Sequence, residues 1–414
     1  MSAARKFGNR TFAALKVRNF RLYFIGQLIS TSGTWMQSVA QGWLVLQISG
    51  SAVDLGFAVA LQFLPTLIAG SYGGLIADRH EKRIILYYTQ TAAGLLALLL
   101  GVLVSAGHVS VGEVYVIAFG LGVVNLFDTP ARQAFVQQMV GRDLITNAVS
   151  LNSVLMNSGR LVGPAVSTAV IATFGTAACF YANAGSFMAV LIALWMMRSE
   201  DFLPMRTVSR EKGQLRLGLH YAFETPLLRN VLIVVTVLGL FAYNFTVTLP
   251  LLARVTFHEQ TATQYGLLMG AMGLGAIAGG LSVAYRSRPT LPLLAILALG
   301  FGISMNLTAI APSIHWAQLA LVPTGAFSIA MMSTANSLLQ LNSSEHMRGR
   351  IMSLYAIAFF GTTPLGAPLM GLISGASNPR FAIALGAGLA VVTAIFLLGS
   401  QRSARQQSNV LQSA

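Results

Sequence analysis

Long stretches without charge, separated by short charged loops, constrain this chain more than any other feature. Residues 55–70 carry no charged side chain, and neither do residues 84–106. An α-helix of about 20 apolar residues crosses the hydrocarbon layer of a bilayer. Only 9% of the 414 residues are charged, whereas a soluble domain carries roughly 25%. The sequence therefore predicts an all-α integral membrane protein.

Apolar runs of this length predict twelve transmembrane helices. The fifth contains Gly163-Pro164, and because proline removes a helical hydrogen bond we expect a kink there. The predicted spans are 22–48, 53–77, 84–106, 111–131, 144–174, 176–197, 229–253, 262–284, 290–311, 314–337, 349–374 and 380–399.

The positive charges indicate which side of the membrane each loop faces. One set of alternate loops holds nearly all lysines and arginines, whereas the opposite set holds only Arg254 and Arg380. Because cytoplasmic loops carry the excess of basic residues, both termini are predicted to be cytoplasmic. The net charge of +14 does not indicate a nucleic-acid partner, since the cations are not pooled on one face with aromatic side chains.

A weak internal repeat relates the two halves of the chain. Two six-helix halves related in this way are typical of secondary transporters. We therefore predict pseudo-symmetric six-helix bundles at residues 1–197 and 229–414, joined by a charged cytoplasmic linker at 198–228 that holds an amphipathic helix. The corresponding positions are Arg18-Asn19 and Arg229-Asn230, Gly56 and Gly266, and Gly70 and Gly280.

A charged turn interrupts the apolar sequence between the second and third predicted helices. Residues 70–83 read GSYGGLIADRHEKR, which resembles the loop signature of the major facilitator superfamily. In that family the acid contacts neighbouring helix ends and latches one conformation, so the resemblance implies this role for Asp78. A role in topology and local packing alone is the alternative. We expect Arg79, Arg83 or Arg132 to pair with the acid. The residues assigned to the latch are Gly74, Asp78, Arg79, Lys82, Arg83 and Arg132.

The fifth predicted helix carries a second motif, SGRLVGPAV, at residues 158–166. The spacing of Gly159 and Gly163 lets two helix backbones approach closely, and Pro164 bends the helix. The segment resembles the fifth-helix signature of exporting antiporters in the same superfamily. The resemblance implies a role in the direction of transport, and close packing without such a role is the alternative.

Arg160 lies near the middle of the same predicted helix, where a lone cation is costly. With Ser153, Asn157 and Ser167 it forms a stripe at helical spacing, so one face of the helix is polar. We expect this face to line a water-filled cavity, where Arg160 binds an anionic group of the solute or responds to a nearby proton. A structural contact to a carbonyl or a carboxylate is the alternative.

Amide and aromatic side chains near the middle of other spans suit a bulky solute with polar and aromatic groups. Each one alone is more often a contact between helices, and as a set they are stronger. The predicted substrate-binding residues are Trp35, Gln37, Gln41, Asn157, Arg160, Tyr243, Asn244 and Phe360.

Residues 127–140 read FDTPARQAFVQQMV and, together with the SGRLVGPAV motif, resemble the enterobactin-exporter branch of the superfamily, which also contains macrolide efflux proteins. The resemblance implies a bacterial inner-membrane exporter of a bulky organic solute such as a siderophore, driven by proton antiport and functioning as a monomer. A multidrug or macrolide efflux pump is the alternative. An importer or a lipid flippase on the same fold is less favoured.

Catalytic, cofactor and metal sites are not predicted. No nucleophile–base arrangement, phosphate-binding loop or metal-ligand spacing occurs in the sequence, so a membrane enzyme is disfavoured. No carboxylate falls at the centre of a predicted span, which leaves the proton-carrying residue open. The candidates lie near the ends of spans, and Asp54, Asp78 and Asp128 are the least disfavoured of them.

Replacing Asp78 by Asn removes the charge of the predicted latch and preserves its size. Asp78→Asn should insert into the membrane normally but export more slowly, because a neutral side chain holds the latch less tightly. Transport into inverted membrane vesicles measures this. A variant that transports at the normal rate would refute the latch role.

Overall fold

The structure is a computed structural model that describes residues 12–203, 214–285 and 289–413. Within these residues every regular element is a helix. The longer helices are α1 (Arg18–Ser49), α2 (Ala52–Arg79), α3 (Lys82–Ser105), α4 (Val111–Gly141), α5 (Asp143–Phe174), α6 (Thr176–Met196), α7 (Gln214–Glu224), α8 (Pro226–Phe241), α9 (Phe245–Leu251), α10 (Ala262–Tyr285), α11 (Leu291–Ala309), α12 (Ile314–Leu341), α13 (Glu345–Phe360), α14 (Thr363–Ala376) and α15 (Pro379–Ser413).

Eleven segments of the described chain are long and apolar enough to cross a membrane. They correspond to the second to twelfth predicted spans, with α8–α9 and α13–α14 each forming one span. The first predicted span falls on α1, which has 32 residues but carries several Gln, Ser and Thr side chains that lower its hydropathy. The helical membrane fold is therefore confirmed, and the total of twelve spans stays a prediction.

The prediction that the fourth span ends at residue 131 is wrong. Helix α4 begins at a capping box and continues to Gly141, where φ is 72°. Glycine adopts this left-handed conformation without a Cβ clash. The break between α4 and α5 therefore lies at Gly141, whereas the backbone remains helical through Pro164, where we expected a kink. Residues 132–141, expected as a loop, extend the helix instead.

Two other predicted spans are interrupted, although both were expected as continuous helices. Residues 242–244 separate α8 from α9, with Asn244 at φ −93° and ψ 40°. Residues 361–362 separate α13 from α14. Pro364 has no N–H to continue the helical ladder, which explains the second interruption.

Contacts between residues divide the chain into two compact units. The proposed boundary between two six-helix halves at residues 198–228 remains a prediction, and residues 204–213 of that linker lie outside the described residues. Of the described residues, the first unit comprises 12–50, 61–203 and 261–266, and the second comprises 51–60, 214–260 and 267–413.

The first unit has a hydrophobic core around the beginning of α1. Phe20, Tyr23 and Phe135 are fully buried there, and the rings of Tyr23 and Phe135 meet edge-on with centroids 6.2 Å apart. A short 3-10 turn, Ala13–Lys16, precedes α1, and its Ala14 N–H donates to Asn147 Oδ1 at 2.9 Å. This bond fixes the segment before α1 to α5.

Close helix contacts in both units depend on glycine. In the first unit a Cβ on Gly122 of α4 would overlap the carbonyl oxygen of Gln62 in α2. In the second unit a Cβ on Gly325 of α12 would overlap the carbonyl oxygen of Met272 in α10. Gln62 and Met272 are separated by the same interval as the repeated glycines of the second and eighth spans. The internal repeat therefore extends from the sequence to the packing.

Gly325→Ala should lower the midpoint of thermal unfolding of the purified protein, because overpacking at a close backbone contact costs about 1–3 kcal/mol. Gly388→Ala is the matched control, since a Cβ on Gly388 meets no atom within 4 Å. Tryptophan fluorescence during heating in detergent measures both variants. An unchanged midpoint for Gly325→Ala would contradict the close contact.

Candidate functional site

Helix α5 packs on α1 through the glycines of the Gly-x-x-x-Gly motif. A Cβ on Gly159 would lie 2.5 Å from Thr31 Cγ2. A Cβ on Gly163 would lie 2.5 Å from Trp35 Cβ and 2.7 Å from Ser32 O. These distances leave no room for a larger side chain, so the motif sets the closest approach of α5 to α1. Its role in the direction of transport stays a prediction.

Arg160 of α5 lies over Trp35 of α1. The guanidinium carbon of Arg160 is 5.1 Å from the centre of the indole ring, which is within the range of a cation–π interaction worth about 0.5–2 kcal/mol. Both side chains are half-buried. The structure thus brings together two of the predicted substrate-binding residues. The side chain of Asn157, a third, lies outside the described residues.

Gln37 forms a buried contact between α1 and α6. Asn183 Nδ2 donates to Gln37 Oε1 at 2.6 Å, and Ser186 Oγ donates to Asn183 Oδ1 at 2.9 Å. A Cβ on Gly33 would lie 2.5 Å from Ser186 Oγ, so glycine is required at this crossing. Gln41 is also buried. The geometry favours the contact between helices over solute binding for Gln37.

Tyr243, at the interruption between α8 and α9, belongs to an aromatic column in the second unit. Its ring stacks on Phe301 with centroids 5.4 Å apart and meets Phe359 edge-on at 5.0 Å. The Tyr243 hydroxyl donates to Ser328 O at 2.9 Å, which fixes the ring. Tyr355 stacks in turn on Phe359. Because Tyr243, Tyr355 and Phe359 are half-buried, the column keeps aromatic surface exposed.

Asn244 and Phe360 differ in their surroundings. Asn244 is buried, and its Nδ2 donates to Leu240 O at 2.8 Å, next to the break in the helix. A Cβ on Gly366 of α14 would lie 3.0 Å from the same Nδ2. Asn244 therefore stabilises the interruption, whereas Phe360 is 48% exposed and its ring is accessible.

Arg83, assigned to the latch, binds the end of α6. Its Nε and Nη2 donate to Leu194 O at 3.1 and 2.6 Å, and Nη2 also donates to Met197 O at 3.3 Å. Its Nη1 donates to Ser199 Oγ at 2.6 Å. The last carbonyls of a helix have no partner within the helix and carry partial negative charge. Arg83 therefore caps α6 as a cation.

Two further residues bind the same helix end, and sequence reasoning missed their role. Arg18 Nη1 donates to Met196 O at 2.9 Å. The Asn19 side chain donates to Arg198 O at 2.8 Å and accepts from Arg198 N–H at 3.2 Å. The sequence indicates the Arg-Asn pair only as a repeat. Its position at the start of a span was the available signal.

Arg132, also assigned to the latch, belongs to a buried polar network between α1, α3 and α4. Its guanidinium donates to Asp128 Oδ2 and to Gln27 Oε1. Asp128 Oδ1 accepts from Thr89 Oγ1 at 2.8 Å and from Gln90 Nε2 at 2.7 Å. Asp128 lies near the middle of the 31-residue helix α4 and not at its end. Its expected place near the inner end of the membrane span stays a prediction.

The other residues assigned to the latch are not brought into one cluster. Gly74 and Lys82 are buried, and Arg79 is exposed. The side chain of Asp78 lies outside the described residues, so its role stays a prediction. No group of three or more His, Cys, Asp or Glu residues is placed to hold a metal ion within 12–203, 214–285 and 289–413.

A family described as "transmembrane secretion effector" matches residues 9–413 of this chain. The chain belongs to the transmembrane secretion effector family. Tap of Mycolicibacterium fortuitum, a multidrug efflux pump, is 27% identical over 392 residues, which cover 91% of this chain and 95% of Tap. EntS of Salmonella paratyphi A, an enterobactin exporter, is 26% identical over 400 residues, which cover 94% of this chain and 95% of EntS. The staphyloferrin A transporter of Staphylococcus aureus is 24% identical over 364 residues, which cover 85% of this chain and 88% of that transporter.

Solved structures of transporters share the fold of this secretion effector. A bacterial homologue of the iron transporter ferroportin in an inward-facing state has a TM-score of 0.72 and 14% identity, covering 92% of this chain and 98% of that one. A POT family transporter in complex with 5-aminolevulinic acid has a TM-score of 0.71 and 12% identity, covering 92% and 95%. The resemblance to the enterobactin-exporter branch of the major facilitator superfamily is confirmed by the family match and the relatives. The secretion effector is a membrane exporter and not an enzyme.

Arg83→Gln should destabilise the first unit of the secretion effector, because hydrogen bonds from a charged group contribute about 1.5–3 kcal/mol and the end of α6 would lose its cation. Arg79→Gln is the matched control, since Arg79 is exposed. Limited proteolysis near residue 198 and the midpoint of thermal unfolding measure the effect. Equal behaviour of the two variants would contradict the capping role.

Proposed function

We propose that this secretion effector exports a bulky organic solute across a bacterial inner membrane in exchange for protons, as a monomer with both termini in the cytoplasm. The match of the family to residues 9–413 carries the proposal. Relatives described as an efflux pump and as an enterobactin exporter support it, since both align over more than nine-tenths of their length. The bias of basic loops supports the orientation.

The Arg160–Trp35 pair supports an anionic solute. A half-buried guanidinium beside an indole ring suits a negatively charged group attached to an apolar body. The column around Tyr243 offers a surface for aromatic rings. An acidic siderophore suits the charge of Arg160, and two of the relatives carry siderophore names. We therefore favour a siderophore as the solute.

A multidrug or macrolide efflux pump is the second candidate. The similarity to the multidrug efflux pump Tap favours it, and so does the exposed aromatic surface, which accepts many apolar drugs. An importer or a lipid flippase is disfavoured, because the Gly159–Pro164 segment resembles the signature of exporting antiporters.

Transport by inverted vesicles tests the proposal. Vesicles containing the full chain are loaded from outside with iron-free enterobactin or with erythromycin, with the pH gradient intact or collapsed by an ionophore. Accumulation of enterobactin that disappears with the gradient supports siderophore export. Accumulation of erythromycin alone supports the efflux pump. Accumulation of either solute that is unchanged without the gradient would refute proton coupling.

Arg160→Ala should reduce transport of an anionic solute about tenfold, which corresponds to about 1.4 kcal/mol, and should affect a neutral solute less. The reason is that the variant removes the charge beside Trp35 and leaves the ring in place. Initial rates for enterobactin and for an uncharged apolar drug measure the difference. Equal losses for the two solutes would indicate a packing role for Arg160.

A further inference from the structure

We infer that Asp128 is the residue that binds and releases the coupling proton, and that Arg132 and Gln90 change partners when it does so. The inference deepens the proposed function, because it rests on proton-coupled export. Asp128 is the one buried carboxylate among the side chains that the structure describes. Its position near the middle of α4 separates it from both ends of the helix.

A buried ion pair inside a membrane-spanning helix needs a reason beyond stability. Charged side chains at such positions are costly and mark ion or proton pathways. Replacing a buried ion pair by apolar residues often leaves stability unchanged or raises it. Asp128 and Arg132 therefore point to a functional role, and a carboxylate is the group that titrates most readily between two aqueous phases.

Three polar atoms beside this ion pair are buried without a hydrogen-bond partner among the described residues. They are the Tyr23 hydroxyl, Gln27 Nε2 and Gln90 Oε1. Tyr23 lies one turn before Gln27 on α1, within electrostatic range of Asp128 and Arg132. Leaving a buried polar atom unpaired costs about 1–3 kcal/mol. A network with such atoms has a second arrangement available to it.

Two of these atoms, Gln90 Oε1 and the Tyr23 hydroxyl, are acceptors that a protonated Asp128 and a released Arg132 require. A proton converts one carboxylate oxygen from an acceptor into an O–H donor. A flip of the Gln90 carboxamide then presents Oε1, which is unpaired in the present arrangement, to that O–H. Arg132 loses its negative partner and finds an acceptor in the Tyr23 hydroxyl.

Few charged or titratable groups face the Asp128 carboxylate. Among the described side chains of the network, α4 contributes Arg132 and α1 contributes Tyr23, whereas α3 contributes the neutral Thr89 and Gln90. Protonation therefore changes the site from neutral to positive. The side chain of Arg132 is 23% exposed and that of Asp128 is 3% exposed. Once the ion pair breaks, Arg132 therefore reaches water more easily than Asp128 does.

The step itself is a single protonation. One O–H bond forms at Asp128, the ion pair with Arg132 breaks, and no other covalent bond changes. The proton comes from water on the more acidic side of the membrane. It returns to water on the other side when Arg132 binds the carboxylate again.

Infrared difference spectroscopy of the full chain in lipid tests the assignment without any solute. Acidification should produce the C=O stretching bands of all protonated carboxylic acids, and Asp128→Asn should lack the high-wavenumber component that a buried acid contributes. Glu113→Gln is the matched control, because Glu113 lies at the start of α4 and is only half-buried. Persistence of the high-wavenumber component in Asp128→Asn would overturn the inference.

Transport separates this inference from the proposed function. In vesicles loaded with iron-free enterobactin or erythromycin, Asp128→Asn should retain exchange at equal pH and lose at least tenfold in accumulation driven by a pH gradient. If the wild-type chain itself ignores the gradient, the proposed function fails. If the wild type responds and Asp128→Asn accumulates equally well, the inference fails and the proposed function stands.

Two neighbours provide a test that does not alter the ion pair. Thr89→Val removes a donor to the carboxylate, so the infrared band should appear at higher pH. Tyr23→Phe removes the acceptor for the released Arg132, so the band should appear at lower pH. A purely structural network would not shift in opposite directions. The absence of both shifts would overturn the exchange of partners.

Discussion

A polar group in the hydrocarbon layer has no water to bind, so each one in a span must find its partner within the protein. This constraint explains why the described chain consists of helices and why helix ends and breaks carry specific side chains. Arg83 binds the last carbonyls of α6, and Asn244 binds Leu240 O beside the break of α8. Glycine meets a different requirement, because Gly325 lets α12 approach the backbone of α10 at Met272 O. The positions of Arg83 and Asn244 thus follow from hydrogen bonding, and that of Gly325 follows from packing.

The approximate positions of the second to twelfth spans could be predicted because apolar length alone decides whether a helix can cross a bilayer. The end of α4 could not be predicted, because charged residues after an apolar run are typical of a loop. Asp128 and Arg132 lie four residues apart, a spacing that pairs their side chains on one helix face. That pairing makes both charges compatible with a continuous helix. Considering the pair instead of each charge separately would have extended the span.

The candidate site was less predictable because its contacts join residues distant in sequence. Gln37 has the features of a solute ligand in the sequence, but Asn183 occupies its carbonyl oxygen. Arg83 carries a motif resemblance that assigns it to a latch, but its partners are carbonyls of α6. Local pattern specifies which residues are polar inside a span. Only the fold specifies whether a neighbouring helix or a solute satisfies them.

Helix α1 connects the parts of the first unit that proton binding and solute binding would use. Arg132 of α4 donates a hydrogen bond to Gln27 of α1. Two turns further along α1, Trp35 contacts Gly163 of α5 and lies beneath the guanidinium of Arg160. Loss of the Asp128–Arg132 ion pair would change the contact of Arg132 with Gln27 on α1. A resulting shift of α1 would reach α5 through the contacts at Gly159 and Gly163. Because the contacts at Gly159 and Gly163 leave no space between α5 and α1, a shift of α1 would move the pair Arg160–Trp35 as a unit. The proton and the solute are then coupled through one helix, and each biases the position that the other binds.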